Sequence, residues 1–504
     1  MNRGPAIDPR TGQEPGADRG APGLGRRAVR GGVVTMAGQV TRIGVQVLSV
    51  VLLARLLTPH DYGLLAMVLA VIGVGEILRD FGLSSAAIQS KQLTRGQRTN
   101  LAWINSGIGA GLALITFLGA PLVAAVYDEP DLAPMTRALA VTFLLNGMAT
   151  QYRADLVRSL RFTRLAAADV SAPAVALGVG IALAAGGAGY WALVGQQVTQ
   201  AVVLLVVLGV SAGWLPGRPD RHAPMRPFLR FGGNLVATGL VGYVANNVDS
   251  LIIGTRFGSG PLGYYNRAYQ LLTTTVTQLR APMTTVALPV LSTLQDDVHR
   301  FGDYVRRGQV VLGYTLVAAM SVAVGAAEPV VRLALGAQWL PVVPILQLLA
   351  VASGMQTLAY VGYWVYLARG LTGDLLRYSV ATAVLKITCI VAGSTWGPVG
   401  VAGGIALSAS LEWPLSLWWL SRRTPLPTRA LGLGAIRVLL VGVLSGVAVG
   451  VVTAALDLAP VAEVAAAAGT AVAVYAVATA VPAVRRDVLD VVRVLGSARH
   501  RRGR

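Results

Sequence analysis

The sequence predicts an all-α, multi-pass membrane fold of about fourteen transmembrane helices, and three observations predict it. Hydrophobic residues make up 54% of the 504 and charged residues only 13%, about half the charged share of a soluble chain. Mean hydropathy is +0.61. The apolar residues fall in long runs, such as 107–126, 171–185, 201–212 and 438–455, parted by short polar stretches. At about 1.5 Å of rise per residue, roughly twenty residues cross a ~30 Å hydrocarbon layer, and neutral flanks extend the shorter runs to that length.

Taken in order, helices are predicted near 31–57, 62–88, 100–127, 132–152, 165–186, 189–212, 228–255, 262–291, 306–327, 341–367, 374–393, 398–420, 430–455 and 461–483. Residues 1–30 are rich in Gly, Pro and Arg and read as a disordered basic tail. They do not read as a cleaved signal, because the charged region is too long and the first apolar segment is a full span. Residues 485–504 form a second basic tail.

The net charge is +19. A basic excess can signal nucleic acid, but its placement assigns it here to membrane topology, and no nucleic-acid partner is expected. Alternate loops carry Lys91, Arg95 and Arg98; Arg153, Arg158, Arg161 and Arg164; Arg218, Arg221, Arg226 and Arg230; Arg300, Arg306 and Arg307; Arg369 and Arg377; and Arg422, Arg423 and Arg429. The opposite loops hold Arg256 and Arg332 beside the acidic patch of Asp128, Glu129 and Asp131. Basic loops stay inside during insertion, so a multi-pass protein of the cytoplasmic membrane with both termini cytoplasmic is expected.

An internal repeat organises the chain. Residues 51–70 align without gaps on 251–270, pairing Gly63 with Gly263 at an offset of 200. A second correspondence, at an offset of 211, pairs Arg158 with Arg369 and Gly189 with Gly400. Six helices intervene, so the halves start on the same side, as in transporters whose two bundles rock about a central cavity. The expected divisions are a six-helix lobe at 31–213, a linker at 214–227, a second six-helix lobe at 228–424 and an extra helix pair at 425–484.

Catalytic signatures are missing. Neither Lys91 nor Lys386 follows a glycine, so there is no phosphate-binding loop of the GxxxxGK type. His60, His222, His299 and His500 are isolated in sequence, and no metal site or cofactor is expected. Cys389 is the single cysteine, which excludes an intrachain disulfide. The chain is therefore read as a transporter and not an enzyme.

Charge inside a membrane is expensive and usually faces a cavity or a partner. Arg42 falls midway along the first helix and Arg280 well inside the eighth. Gln270, Thr273, Thr277, Arg280 and Thr284 share one helical face by their spacing. Asn234, Thr238, Asn246 and Asp249 make a comparable stripe on the seventh helix. These stripes read as walls of a hydrophilic cavity, interhelical hydrogen bonding being the plainer alternative. Arg79, beside Asp80 at the inner end of the second helix, either joins the cavity or snorkels to headgroups. Lys386 and Glu412 lie mid-helix and could pair with each other. Were transport coupled to a proton or sodium gradient, Asp249 and Glu412 are the acidic candidates. Arginine's planar fork suits phosphate and pyrophosphate, so Arg42, Arg79 and Arg280 together would suit an anionic lipid headgroup.

The segments LLARLLTPHDYGLLAM (52–67), RDFGLSSAAIQ (79–89), RADLVRSLRF (153–162), GAGYWALVGQQ (187–197), NNVDSLIIG (246–254), LGYYNRAYQLL (262–272), ALPVLSTLQDD (287–297) and GAQW (336–339) resemble polysaccharide exporters of the colanic acid type. The wider superfamily holds lipid II flippases and MATE antiporters. The resemblance covers roughly residues 30–420. It implies a two-lobed alternating-access flippase for polyprenyl-pyrophosphate-linked oligosaccharide, in polysaccharide biosynthesis (lipopolysaccharide, capsule or exopolysaccharide). Partners expected on that basis are the lipid-linked oligosaccharide, the bilayer, and the polymerase and glycosyltransferases of the same pathway. It also implies pyrophosphate contacts for Arg42, Arg79 and Arg280. Alternative readings are a MATE-like drug or cation antiporter, which would want acids dominating its cavity, and a membrane-embedded glycosyltransferase or ligase, which would need an acidic group in a sizeable outer loop.

Overall fold

The computed structural model describes residues 24–80, 93–225, 246–456 and 458–500, with positions 83, 84, 87, 242 and 243 between them. Every regular element among these is helical. The first half contains α1 (Leu24–Leu56), α2 (Pro59–Asp80), α3 (Arg95–Tyr127), α4 (Leu132–Arg158), α5 (Phe162–Ala185) and α6 (Trp191–Ala212). The second contains α7 (residues 246–257), α8 (Ser259–Thr293), α9 (Val298–Gly325), α10 (Val342–Ala368), α11 (Thr372–Gly393) and α12 (Gly397–Ser421). They are followed by α13 (Thr428–Ala455), α14 (Pro460–Ala478) and α15 (Pro482–His500).

Eleven stretches among the described residues are long and apolar enough to span a membrane, against the fourteen expected. One of them, 372–421, contains both α11 and α12, parted by a 3₁₀ turn at Ser394–Trp396. The 35-residue α8 falls outside the eleven, as its polar stripe predicts. Several helices start before their apolar runs because polar residues cap them. Thr94 and Gln97 form a reciprocal capping box that opens α3 at Arg95. The Asp297 side chain accepts from the Arg300 backbone N–H and opens α9 at Val298. At α2, Thr58 and Asp61 bond reciprocally around Pro59 at the first helical position.

The two halves pack alike. In the first, α3 lies on α4, α5 on α6, α4 on α6 and α2 on α4. Six helices later the same pairings recur as α9 on α10, α11 on α12, α10 on α12 and α8 on α10. The turns refine the repeat. Leu160 after α4 and Gly370 after α10 are both left-handed, at φ 53° and 69°, and so are Gly187 and Gly397, at 78° and 75°. These structural equivalences correct the second offset from 211 to 210. A leucine in the left-handed region is unfavourable, so Leu160 occupies a place where its counterpart has the residue the conformation favours.

The halves meet where α2 crosses α8. A Cβ on Gly63 would stand 1.7 Å from the Ser259 carbonyl oxygen, and one on Gly263 1.9 Å from that of Pro59. Only glycine lets the two backbones approach so closely. Arg267 of α8 lies over the Tyr62 ring at 3.8 Å. The connection from α9 to α10, with a short helix at Ala327–Ala334, seats the fully buried Trp339 beside this crossing. Its Nε1 donates to the Ala54 carbonyl at 2.8 Å, and its ring meets Tyr62 and Tyr264 edge-on. Arg55 returns a hydrogen bond to the Leu333 carbonyl at 2.7 Å.

Beyond the two lobes, α13 packs on α9 and α14 on α13. The amphipathic α15 turns Val484 and Asp487 inward, and Arg437 of α13 holds Asp487 through Nε and Nη2, both at 2.9 Å.

Candidate functional site

A cavity of about 120 Å³ opens among α7, α8, α10, α11 and α12. Arg280 enters it from the polar face of α8. Its Nη2 donates to the Thr357 hydroxyl at 2.6 Å and the Ser353 carbonyl at 3.1 Å. The guanidinium also lies 5.2 Å from the centre of the Tyr360 ring, and Nε is buried with no hydrogen-bond partner. Lys386 enters from α11, with Nζ 3.5 Å from Asn246 Oδ1. Thr277, Gln356 and Tyr269 complete the polar lining, while Leu272, Val276 and Ile405 supply apolar wall. The described lining residues thus include two cations and no carboxylate.

The α8 stripe divides its work. Thr277 faces the cavity, whereas Thr284 is engaged by the Tyr360 hydroxyl and Trp364 Nε1, each at 3.1 Å. Gln270 is half-buried, with a buried and unpartnered Oε1. The Thr273 side chain, like Asn234 and Thr238 of the α7 stripe, lies outside the described residues.

Asn246, Thr277 and Arg280 are thus brought together, and Arg42 and Arg79 are not among the residues that line the cavity. Arg42 is half-buried on α1, one turn beyond Gly38, whose Cβ would stand 2.9 Å from that of Ala166 in α5. Arg79 pairs with Glu76 at 2.7 Å, and Glu76 also accepts from Asn146 of α4 at 3.4 Å. Lys386 and Glu412 are near enough for their charges to interact without meeting in an ion pair, and the Lys386 ammonium is 3.5 Å from Asn246 Oδ1. The Glu412 backbone carbonyl accepts from the Tyr378 hydroxyl at 3.1 Å. Asp249 is buried outside the cavity. The Tyr265 hydroxyl donates a short hydrogen bond to its Oδ2, and the Ser250 N–H donates to Oδ1 at 2.8 Å. Tyr265 stacks at 6.2 Å on Tyr269, a lining residue, which links the carboxylate to the cavity wall.

Sequence reasoning passed over Lys386, Tyr269 and Gln356 as lining residues. Lys386 carried a usable signal, being one of two lysines in the chain and set mid-helix. Tyr269 and Gln356 carried none, since an aromatic or an amide on a membrane helix is as often a packing residue.

Residues 52–344 match the family described as polysaccharide biosynthesis protein. The lipopolysaccharide biosynthesis protein WzxC of Escherichia coli is 27% identical over 391 residues, 76% of this chain and 79% of that one. The teichuronic acid biosynthesis protein TuaB of Bacillus subtilis is 25% identical over 392 residues, 75% of this chain and 79% of that one. Among solved structures, the lipid II flippase MurJ in an inward closed conformation superposes with a TM-score of 0.71 at 13% identity, covering 91% of this chain and 99% of its own. An inward-facing multidrug resistance MATE transporter of the MOP superfamily gives 0.58 at 14% identity, covering 79% of this chain and 98% of that one. These likenesses establish a fold shared with membrane transporters, and the match across more than half the sequence settles the lineage: the chain belongs to the polysaccharide biosynthesis protein family.

Proposed function

We propose that this protein is a flippase that moves a polyprenyl-pyrophosphate-linked oligosaccharide across the cytoplasmic membrane by alternating access, with Arg280 and Lys386 holding the pyrophosphate. The observation that carries the reading is the lining of the cavity. Two cations and several neutral hydrogen-bonding groups converge among membrane helices, and none of the described lining residues is a carboxylate. A planar guanidinium pre-set by Thr357 and Ser353 suits a bidentate phosphate contact, and an ammonium on the facing helix adds a movable point charge. Asn246, Thr277 and Gln356 offer hydrogen bonds to headgroup or sugar hydroxyls.

Both termini are cytoplasmic in this reading, which follows from the arginine-rich alternate loops. The α2–α8 crossing then closes the outer side, and substrate enters from the cytoplasm. The buried Asp249 is the proposed site of proton coupling, through Tyr265 and Tyr269. The polymerase and glycosyltransferases of the pathway are the proposed partners in the cell.

The test is flipping by purified protein in vesicles loaded with labelled polyprenyl-pyrophosphate oligosaccharide, read by accessibility to an outside probe. Protein-dependent flipping that is lost in Arg280→Ala/Lys386→Ala supports both function and site. Flipping retained in that variant removes the site. Absence of flipping together with gradient-driven efflux of small cations replaces the function by a drug exporter's.

A further inference from the structure

We propose that His60, Glu129 and Asp131 form a divalent-cation site, best suited to Zn²⁺, on the seam between the two lobes. His60 is far in sequence from Glu129 and Asp131, which share one loop, but a ring nitrogen of His60 and one carboxylate oxygen from each acid all lie within 4.8 Å of one another. That spread lets one ion bridge all three with little side-chain movement, since Zn²⁺ takes imidazole and carboxylate ligands at about 2.0–2.2 Å. One imidazole among two carboxylates favours Zn²⁺ over Ca²⁺, which prefers oxygen alone. Three protein ligands leave the fourth position to water.

The second observation lies across the seam. His60 Nδ1 stands 2.6 Å from the Ser259 hydroxyl, at the start of α8 in the other half. In the tautomer that donates from Nδ1 to Ser259, Nε2 keeps its lone pair for a metal, the arrangement by which an outer hydrogen bond orients a ligating histidine. The Tyr190 hydroxyl fixes Asp131 from a third loop, donating to Oδ1 at 3.4 Å. Asp61, next to His60, is already engaged as the partner of Thr58 and stays outside the site. An ion here would harden the His60–Ser259 contact and hold the α2–α8 crossing shut.

The experiment is Zn²⁺ binding to the purified full-length protein by calorimetry, for wild type, His60→Ala, Glu129→Gln/Asp131→Asn and Ser259→Ala. Expected are one site in wild type, loss of that site in the first two variants, and binding about tenfold weaker in Ser259→Ala, the cost of losing a partner that orients a ligand. Ca²⁺ should not compete at equal concentration. No saturable binding in wild type, or binding unchanged by His60→Ala, overturns the site. Unchanged affinity in Ser259→Ala overturns the link to the seam. None of these readouts depends on the flipping assay, so failure here and failure of the proposed function are separable.

Discussion

Gly63 and Gly263 occupy equivalent places in the two halves, and each lies against the backbone at the start of the other's helix. The contact is reciprocal, as a pseudo-two-fold relation between the lobes requires: Gly63 meets Ser259, and Gly263 meets Pro59. Either glycine replaced by alanine would push a methyl into a carbonyl that cannot yield. We expect Gly63→Ala and Gly263→Ala each to cost about 1–3 kcal/mol, as overpacking does. Thermal unfolding in detergent checks this, with Gly260→Ala as the control, since a Cβ there meets nothing within 4 Å.

Arg280 is the cavity cation whose geometry is set in advance. Removing a charge-assisted hydrogen bond costs about 1.5–3 kcal/mol, so Arg280→Ala should lower flipping roughly 10- to 100-fold. Thr357→Val should lower it less, because it frees the guanidinium without removing it. Flipping rates measured with both variants side by side separate charge from orientation.

The proposed proton coupling at Asp249 makes a different forecast. Asp249→Asn should keep the fold, since an amide oxygen can still accept from Tyr265, and should abolish the dependence of flipping on an imposed proton gradient. A variant that responds to the gradient as wild type does would remove Asp249 from the coupling scheme.

Away from the cavity, the half-buried Arg437 pairs with the buried Asp487. Arg437→Met alone leaves a carboxylate uncompensated and should destabilise by about 3–5 kcal/mol, whereas Arg437→Met/Asp487→Leu should recover most of that loss. Melting temperatures of the two variants decide the point, and proteolysis at α15 should follow the same order.

The architecture was legible in the sequence wherever it rested on period and length. Apolar runs placed the helices, and the Gly63/Gly263 pairing announced the repeat. Helix starts such as Arg95 and Val298 came out late because the caps at Thr94 and Asp297 are polar and lie outside any apolar run. The polar spacing on α8 put Thr277 and Arg280 on one face, and both line the cavity, since spacing along a helix fixes facing. Which neighbour each residue meets is a tertiary matter. Lys386 and Glu412 could pair by their mid-helix positions, and their charges do interact, yet the hydrogen-bond partner of Lys386 is Asn246, from a helix 140 residues earlier. The seam is hidden for the same reason: nothing local says that GAQW at 336–339 will seat its tryptophan against Ala54.

Every described residue lining the cavity comes from the second half of the chain, between Asn246 and Ile405. A duplicated body with its pocket in one copy works as a lever and not as a balance. One arm bears the load, and the other is the fulcrum block it swings against. Duplication here doubled the scaffold without doubling the cargo berth. In the first copy the polar groups tie helix to helix, as where Glu76, paired with Arg79 on α2, accepts from Asn146 of α4.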